Sequence, residues 1–491
     1  MVDLPVATLP LAHRDHRAYP VLDPGDPACV LTVRDGREAP RTVVPRSTWS
    51  FSRATAGRPV EDGTHISLEG GFQAGKIYEL VYRARDPRVI GMGLAAIRDT
   101  MAYALHDPDC PFPVKRGLAV GISQTGRFLR HFLYQGFNTD TEGRQVFDGM
   151  LILTAGAGRG SFNHRFAQPS RDAHRYSAFF YPTDLFPFTS RLQEDPVTGR
   201  MDGLFAHQFF PDHVPKIFYL NTGYEYWGRA AALVHSTVDG EHDFPPTGRE
   251  RVYHLCGAQH FPGWFPPRSG DVIPGTRLWR GHPLDAKTLY RALLVRLVEW
   301  VGEDREPPAS AFPLLDEGTL VPVAELALPA ISGLAAPHVA HVAYRADYGP
   351  QWDRGIVTLQ PPVLGPAFPA RVPAVDALGN ELGGVRGLEL RVPLATYLPW
   401  NLRRGMAGGN GELTDFLGTF APLPPTEAEK RRSQDPRPSL ETLYGDRKGW
   451  KAQARKAAQA QVREGFLLEE DVPFVLEEGL RIWDWIEGGE R

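Results

Sequence analysis

Cysteine is scarce: Cys29, Cys110 and Cys256 are the only three in 491 residues. An odd, sparse set cannot make a disulfide framework, which favours a reducing compartment and so a cytoplasmic location. No run of about 18 apolar residues occurs, so no membrane span is expected. The opening MVDLPVATLPLAHRDHRAYP lacks a basic start followed by an apolar core, and as written it is not a signal peptide. Charge of one sign is also missing. Lys and Arg total 54 against 58 Asp and Glu, a formal net charge of −4. No basic stripe interleaved with aromatics occurs, so nucleic acid is not expected as a partner. The densest basic run, Lys430-Arg431-Arg432, reads as a solvated loop. Internal repeats are absent, and no G-x-G-x-x-G or phosphate loop follows a strand. His13 and His16 near Asp15, and His164 near Arg165 and Asp172, lack metal-ligand spacing. No metal or cofactor is expected, and nothing specifies an oligomeric state.

Glycine and proline are plentiful, at 50 and 45 residues. Without low-complexity tracts, they indicate many ordered loops joining short elements. Residues 1–75 read as a β-rich lead, with CVLTV (29–33) followed by the turn Asp35-Gly36. From residue 76 the pattern changes. IYELVY (77–82) is a strand, and Leu94, Ile97, Met101 and Leu105 recur at helical spacing over 90–106. GLAVGI (117–122) reads as a strand able to be buried on both faces. Phe128, Leu129, Phe132 and Leu133 mark the next helix, stopped near Gly136. Further strands are MLIL (150–153), 217–220 and 252–255, and 285–302 is a strongly amphipathic helix.

Strand–helix alternation between 76 and 302 predicts a mostly parallel sheet covered by helices. Residues 155–215 break the rhythm and read as a lid-like insertion. The expected division is a lead over 1–75, a core over 76–304 and a C-terminal region over 305–491. With no Gly/Ser linker before it, that last region is expected to pack on the core.

The segment with chemical content is Gly121-Ile122-Ser123-Gln124-Thr125-Gly126. A nucleophilic serine between a strand and a helix sits on a turn so tight that its neighbours at two positions before and after come close, which calls for small residues there. Gly121 meets that need. Thr125 stands where glycine is usual, and Gly126 comes one position late. The bland alternative is a serine that only caps the helix.

A serine hydroxyl needs a base, and the base needs an acid that fixes its tautomer. On such sheets the chain order is serine, acid, histidine. After strand 217–220, Glu225 is the nearest carboxylate, with Asp212, Asp239, Glu241 and Asp243 as rivals. After strand 252–255 comes His260, with His254 and His282 as rivals.

With these residues placed, the chain resembles a bacterial family of α/β-hydrolase-domain proteins. The resemblance lies in IYELVYRARDPRVIGMGLAAIRD (77–99), GISQTGRFLRHFLYQGFN (121–138), YPTDLFPFT (181–189), NTGYEYWGRAA (221–231) and GAQHFPG (257–263). VPAVDALGNE (372–381) and VPLATYLPWNLR (392–403) also match, so it covers nearly the whole chain. It implies an α/β-hydrolase fold and a triad carried onto Ser123, Glu225 and His260, and it tolerates Thr125. Members are often longer at the N-terminus, which implies that this chain lacks a front segment.

An oxyanion formed at Ser123 needs two donors. The Gln124 N–H is one candidate, and Arg83 or Ala84, after strand 77–82, supplies the other. Aromatics in the insertion (Phe179, Phe180, Tyr181, Phe186) and in 392–403 (Tyr397, Trp400), with Trp227 and Trp264, are expected either to wall a pocket or to form core. Those singled out for substrate binding are Trp227, Trp264, Tyr181, Tyr397 and Trp400. The expected function is cleavage of a small-molecule carboxylic ester or lactone through an acyl-enzyme on Ser123. Acyl transfer by the same triad, or a non-catalytic binding protein of this fold, are the alternatives.

Overall fold

In the computed structural model, strand Val30–Arg34 (β1) pairs antiparallel with Ile77–Val81 (β2), Thr32 facing Glu79. The strand read at 77–82 therefore exists, but it belongs to the N-terminal unit and not to the central sheet. Glu79, in the middle of this strand, is a carboxylate that burial tolerates only where a cation meets it. Here Arg41 Nε donates to it at 2.6 Å and Arg34 Nε lies 3.4 Å away. Leu31, Trp49, Phe51, Ile66 and Phe72 close a small apolar core of this unit, with Tyr78, Leu80 and Tyr82 packed on it.

The structure describes residues 2–489 apart from 3–4, 13–16, 37–38, 56, 87–90, 161–183, 209, 247, 268–276, 339, 355, 360–361, 404–410 and 415. Tyr181, Phe179 and Phe180, and the histidines at 13, 16 and 164, lie outside the described residues.

The core runs α1 (Met92–His106), β3 (Leu118–Ile122), α2 (Gln124–Tyr134), β4 (Gly149–Leu153), β5 (Lys216–Thr222), α3 (Gly223–Gly228), β6 (Glu250–Leu255) and α4 (Lys287–Glu303). The four strands form one parallel sheet in the order β6-β5-β4-β3. Alternation within β4 sorts its two faces. Met150 and Ile152 pack with Leu94 of α1 and with Leu129, Phe132 and Leu133 of α2. Leu151 and Leu153 pack with Leu289, Leu293, Leu297 and Trp300 of α4.

That second cluster continues into the C-terminal helices α5 (Arg447–Glu464) and α6 (Val472–Glu487) through Trp450, Leu476, Trp483 and Ile486. Gly465 ends α5 in a left-handed conformation, φ 87°, and Pro473 stands in the first turn of α6. Each does what its chemistry favours at those positions.

The reading of 117–122 as buried on both faces needs correction. β3 is the sheet's edge, and Val120 and Ile122 are 50% and 54% exposed. Since β2 pairs with β1, no strand of the described residues covers this edge. Among the described residues, no helix is long and apolar enough to cross a membrane.

Candidate active site

Parallel strands deliver the loops after their carboxyl ends to one edge of the sheet. Three of those loops carry the residues read from the sequence. β3 runs into Ser123, which adopts φ 58° and ψ −114° before α2 begins at Gln124. A non-glycine residue at positive φ is strained and persists only when its surroundings hold it. Two backbone bonds do so: the Ser123 N–H donates to Leu153 O at 2.8 Å, and Ser123 O accepts from the Arg127 N–H at 3.0 Å. Close approach of α2 to β3 completes the turn. A Cβ on Gly121 would lie 2.6 Å from Thr125 O, and one on Gly126 3.1 Å from Gly121 O. The late glycine is thus itself part of the crossing.

β5 ends at Thr222, which caps α3. Glu225, three residues on, closes a capping box. Its Oε2 accepts the Thr222 N–H at 3.0 Å and also the Thr222 hydroxyl. Oε1 lies 2.5 Å from Nδ1 of His260. His260 follows β6, and its Nε2 lies 2.9 Å from Ser123 Oγ. Glu225 is fully buried and His260 is 6% exposed. Because an ionised carboxylate only accepts, Nδ1 carries the proton toward Glu225. That leaves Nε2 free to accept from the serine hydroxyl.

The rival residues do other work. Asp239 and Asp243 stabilise turns, accepting the N–H groups of Glu241 and Leu315 respectively at 3.0 Å. Glu241 belongs to the first of those turns, and Asp212 to a short 3-10 turn, Pro211–His213. His282 Nδ1 accepts the Leu284 N–H at 3.2 Å. His254 is buried beside Glu381, 3.2 Å from Nε2 to Oε2.

The Gln124 N–H opens α2 directly beside Ser123, among the N–H groups that a helix leaves without an internal acceptor. Arg83 and Ala84 are exposed residues of the N-terminal unit. Arg83 O accepts the Leu22 N–H at 2.8 Å, and Ala84 bridges Val21.

Of the aromatics singled out, Trp227 and Trp400 are buried together with ring centroids 5.8 Å apart, and Tyr397 is buried in the main core. The structure places these three in the packing. Trp264 is 75% exposed. Three rings that sequence reasoning passed over surround His260: Phe416 at 4.6 Å, Phe261 at 5.1 Å and Tyr224 at 5.9 Å between centroids. Tyr224 and Phe261 adjoin Glu225 and His260 in the chain, and that adjacency is the signal which could have found them. Phe416 arrives from far along the sequence, at φ 68°, with no local signal.

Among the described residues, no group of three or more His, Cys, Asp or Glu is arranged to hold a metal ion. Compared with known families, residues 93–477 match the model of a family described as alpha/beta hydrolase domain. No curated protein and no solved structure matches the chain.

Proposed function

We propose that this chain, which belongs to the alpha/beta hydrolase domain family, is a serine esterase whose nucleophile is Ser123. The observation that carries this reading is the hydrogen-bonded line from Ser123 Oγ to His260 Nε2, and from His260 Nδ1 to Glu225 Oε1. Membership of the family supports a hydrolase. The ester specificity and the triad roles are our reading of the geometry.

In that reading, Ser123 Oγ attacks the ester carbonyl as His260 Nε2 takes its proton. Glu225 stabilises the imidazolium and holds the ring. The Gln124 N–H donates to the oxyanion of the tetrahedral intermediate. His260 then protonates the departing alcohol, leaving an acyl group on Ser123. A water then attacks the acyl carbon as His260 takes its proton, and His260 returns that proton to Ser123 Oγ as the acid leaves. The rings of Phe261, Phe416 and Tyr224 beside His260 favour an ester with an apolar acyl or alcohol portion.

The test is a panel of short aliphatic, aromatic and lactone esters, assayed with wild type and Ser123→Ala. Turnover of at least one ester by wild type, abolished in the variant, is expected. Equal turnover by both proteins would contradict the proposal.

A further inference from the structure

We infer that Glu381 is a positioning residue of this site: one buried carboxylate braces both the turn that carries Glu225 and the loop that carries His260. The inference rests on the esterase reading above.

Glu381 comes from 121 residues beyond His260, in a hairpin of the C-terminal region. Val375 and Glu381 bridge its base, and the Leu382 N–H donates to Ala374 O at 2.8 Å. The neighbouring Asn380 fixes this hairpin to strand Ala395–Leu398, accepting the Tyr397 N–H at 2.8 Å and donating to Ala395 O at 3.1 Å. The chain then pairs with β6. Val385 N–H donates to His254 O at 2.7 Å, and Cys256 N–H donates to Val385 O at 3.1 Å. Glu381 is therefore held from both sides by backbone.

Its carboxylate, 2% exposed, touches both catalytic loops. Oε2 accepts the Gly257 N–H at 2.6 Å, at the turn three residues before His260. Gly257 has φ 71°, a conformation glycine adopts without strain but does not fix by itself. On the other side lies Gly223, first residue of α3 and two before Glu225. A Cβ there would sit 2.4 Å from Oε2 and 2.6 Å from Oε1. The carboxylate thus packs against the very backbone that sets the height of Glu225.

The charge is also accounted for. His254 Nε2 stands 3.2 Å from Oε2. Burial pushes the His254 imidazole down, while Cys256 and then Glu381 beside it push it up, to about 10. Oε1 makes no hydrogen bond among the described residues. A buried carboxylate left partly unsatisfied is costly, and such groups tend to be kept where they fix a functional geometry.

The test compares wild type, Ser123→Ala and Glu381→Gln, all full length. The measurements are steady-state hydrolysis of 4-nitrophenyl acetate and the low-field proton resonance of the His260–Glu225 hydrogen bond. Glutamine keeps the shape and an acceptor for Gly257 but loses the charge facing His254. Displacement of a reacting group by about 1 Å costs up to about a hundredfold in rate. We therefore expect kcat to fall about ten- to a hundredfold, KM to stay within about twofold, and the resonance to shift. Should Glu381→Gln not fold, His254→Gln reports on the same brace, with the same direction in kcat and in the resonance. A folded variant with wild-type kcat and an unshifted resonance overturns the inference, whatever happens to its melting temperature. If wild type itself shows no Ser123-dependent turnover, the esterase reading fails, and the proton resonance still reads whether Glu381 positions His260.

Discussion

The Thr125 hydroxyl accepts the Ile122 N–H at 2.8 Å and donates back to Ile122 O at 2.9 Å, a closed pair three residues apart. Ile122 ends the edge strand β3, where no neighbouring strand of the described residues supplies partners for its outward backbone groups. Threonine supplies them from within the turn. This gives a physical reason for threonine where glycine is usual. The position is exposed, so the side chain has room, and the close approach that demands small residues is borne by Gly121 and Gly126.

Thr125→Val tests this. Valine keeps the shape but satisfies neither Ile122 group. Two exposed hydrogen bonds are lost, which costs at most about 1–2 kcal/mol of stability. A looser turn is expected to slow reaction of Ser123 with a fluorophosphonate about tenfold, and Thr125→Ser should recover most of the rate. A Val variant that reacts like wild type would show that the pair has no bearing on Ser123.

Glu225→Gln separates orientation from folding. Glutamine suits the same capping position in α3, so the melting temperature should change little. Its amide, however, presents a donor to Nδ1 and drives the proton to Nε2, which then cannot accept from Ser123. Hydrolysis should fall about 10³–10⁴-fold, the scale known for a wrong tautomer in a serine triad. A loss under about tenfold would remove Glu225 from the role given to it.

How far the site could be read from the sequence depends on distance along the chain. Ser123, Glu225 and His260 each follow a short apolar strand, and parallel strands deliver such positions to one edge. Their proximity follows from local pattern plus that rule. IYELVY misled because an alternating strand reads alike in either sheet, and only its pairing with Val30–Arg34 decides between them. The structure accordingly places Arg83 and Ala84, the expected oxyanion donors, in the N-terminal unit. Trp227, Tyr397 and Trp400 were legible as large rings, but whether a ring lines a pocket or fills the core is decided by packing. Phe416 and Glu381 reach the site from more than a hundred residues away, through contacts that leave no periodicity.

Stability should fall on mild acidification. Burial holds His131, His235 and His282 down at about 3, against an ordinary value of about 6.5. Below pH of about 6.5 the unfolded chain binds protons that the folded chain refuses, so stability is full above that point and is lost as pH falls toward about 3. His254 has the opposite shift, so its contribution is lost only as pH rises above about 6.5. Melting temperature measured from about pH 6.5 to about pH 5 should decline, and His282→Asn should make the decline shallower. An unchanged slope would mean that His282 is not held neutral in the fold.

The most direct measurement of the central claim is mass spectrometry of the protein after reaction with a fluorophosphonate. The account predicts one adduct per chain, on the peptide containing Ser123, absent from Ser123→Ala and nearly absent from His260→Ala. An adduct on another residue, or none on wild type under conditions that label a known serine hydrolase, would contradict it.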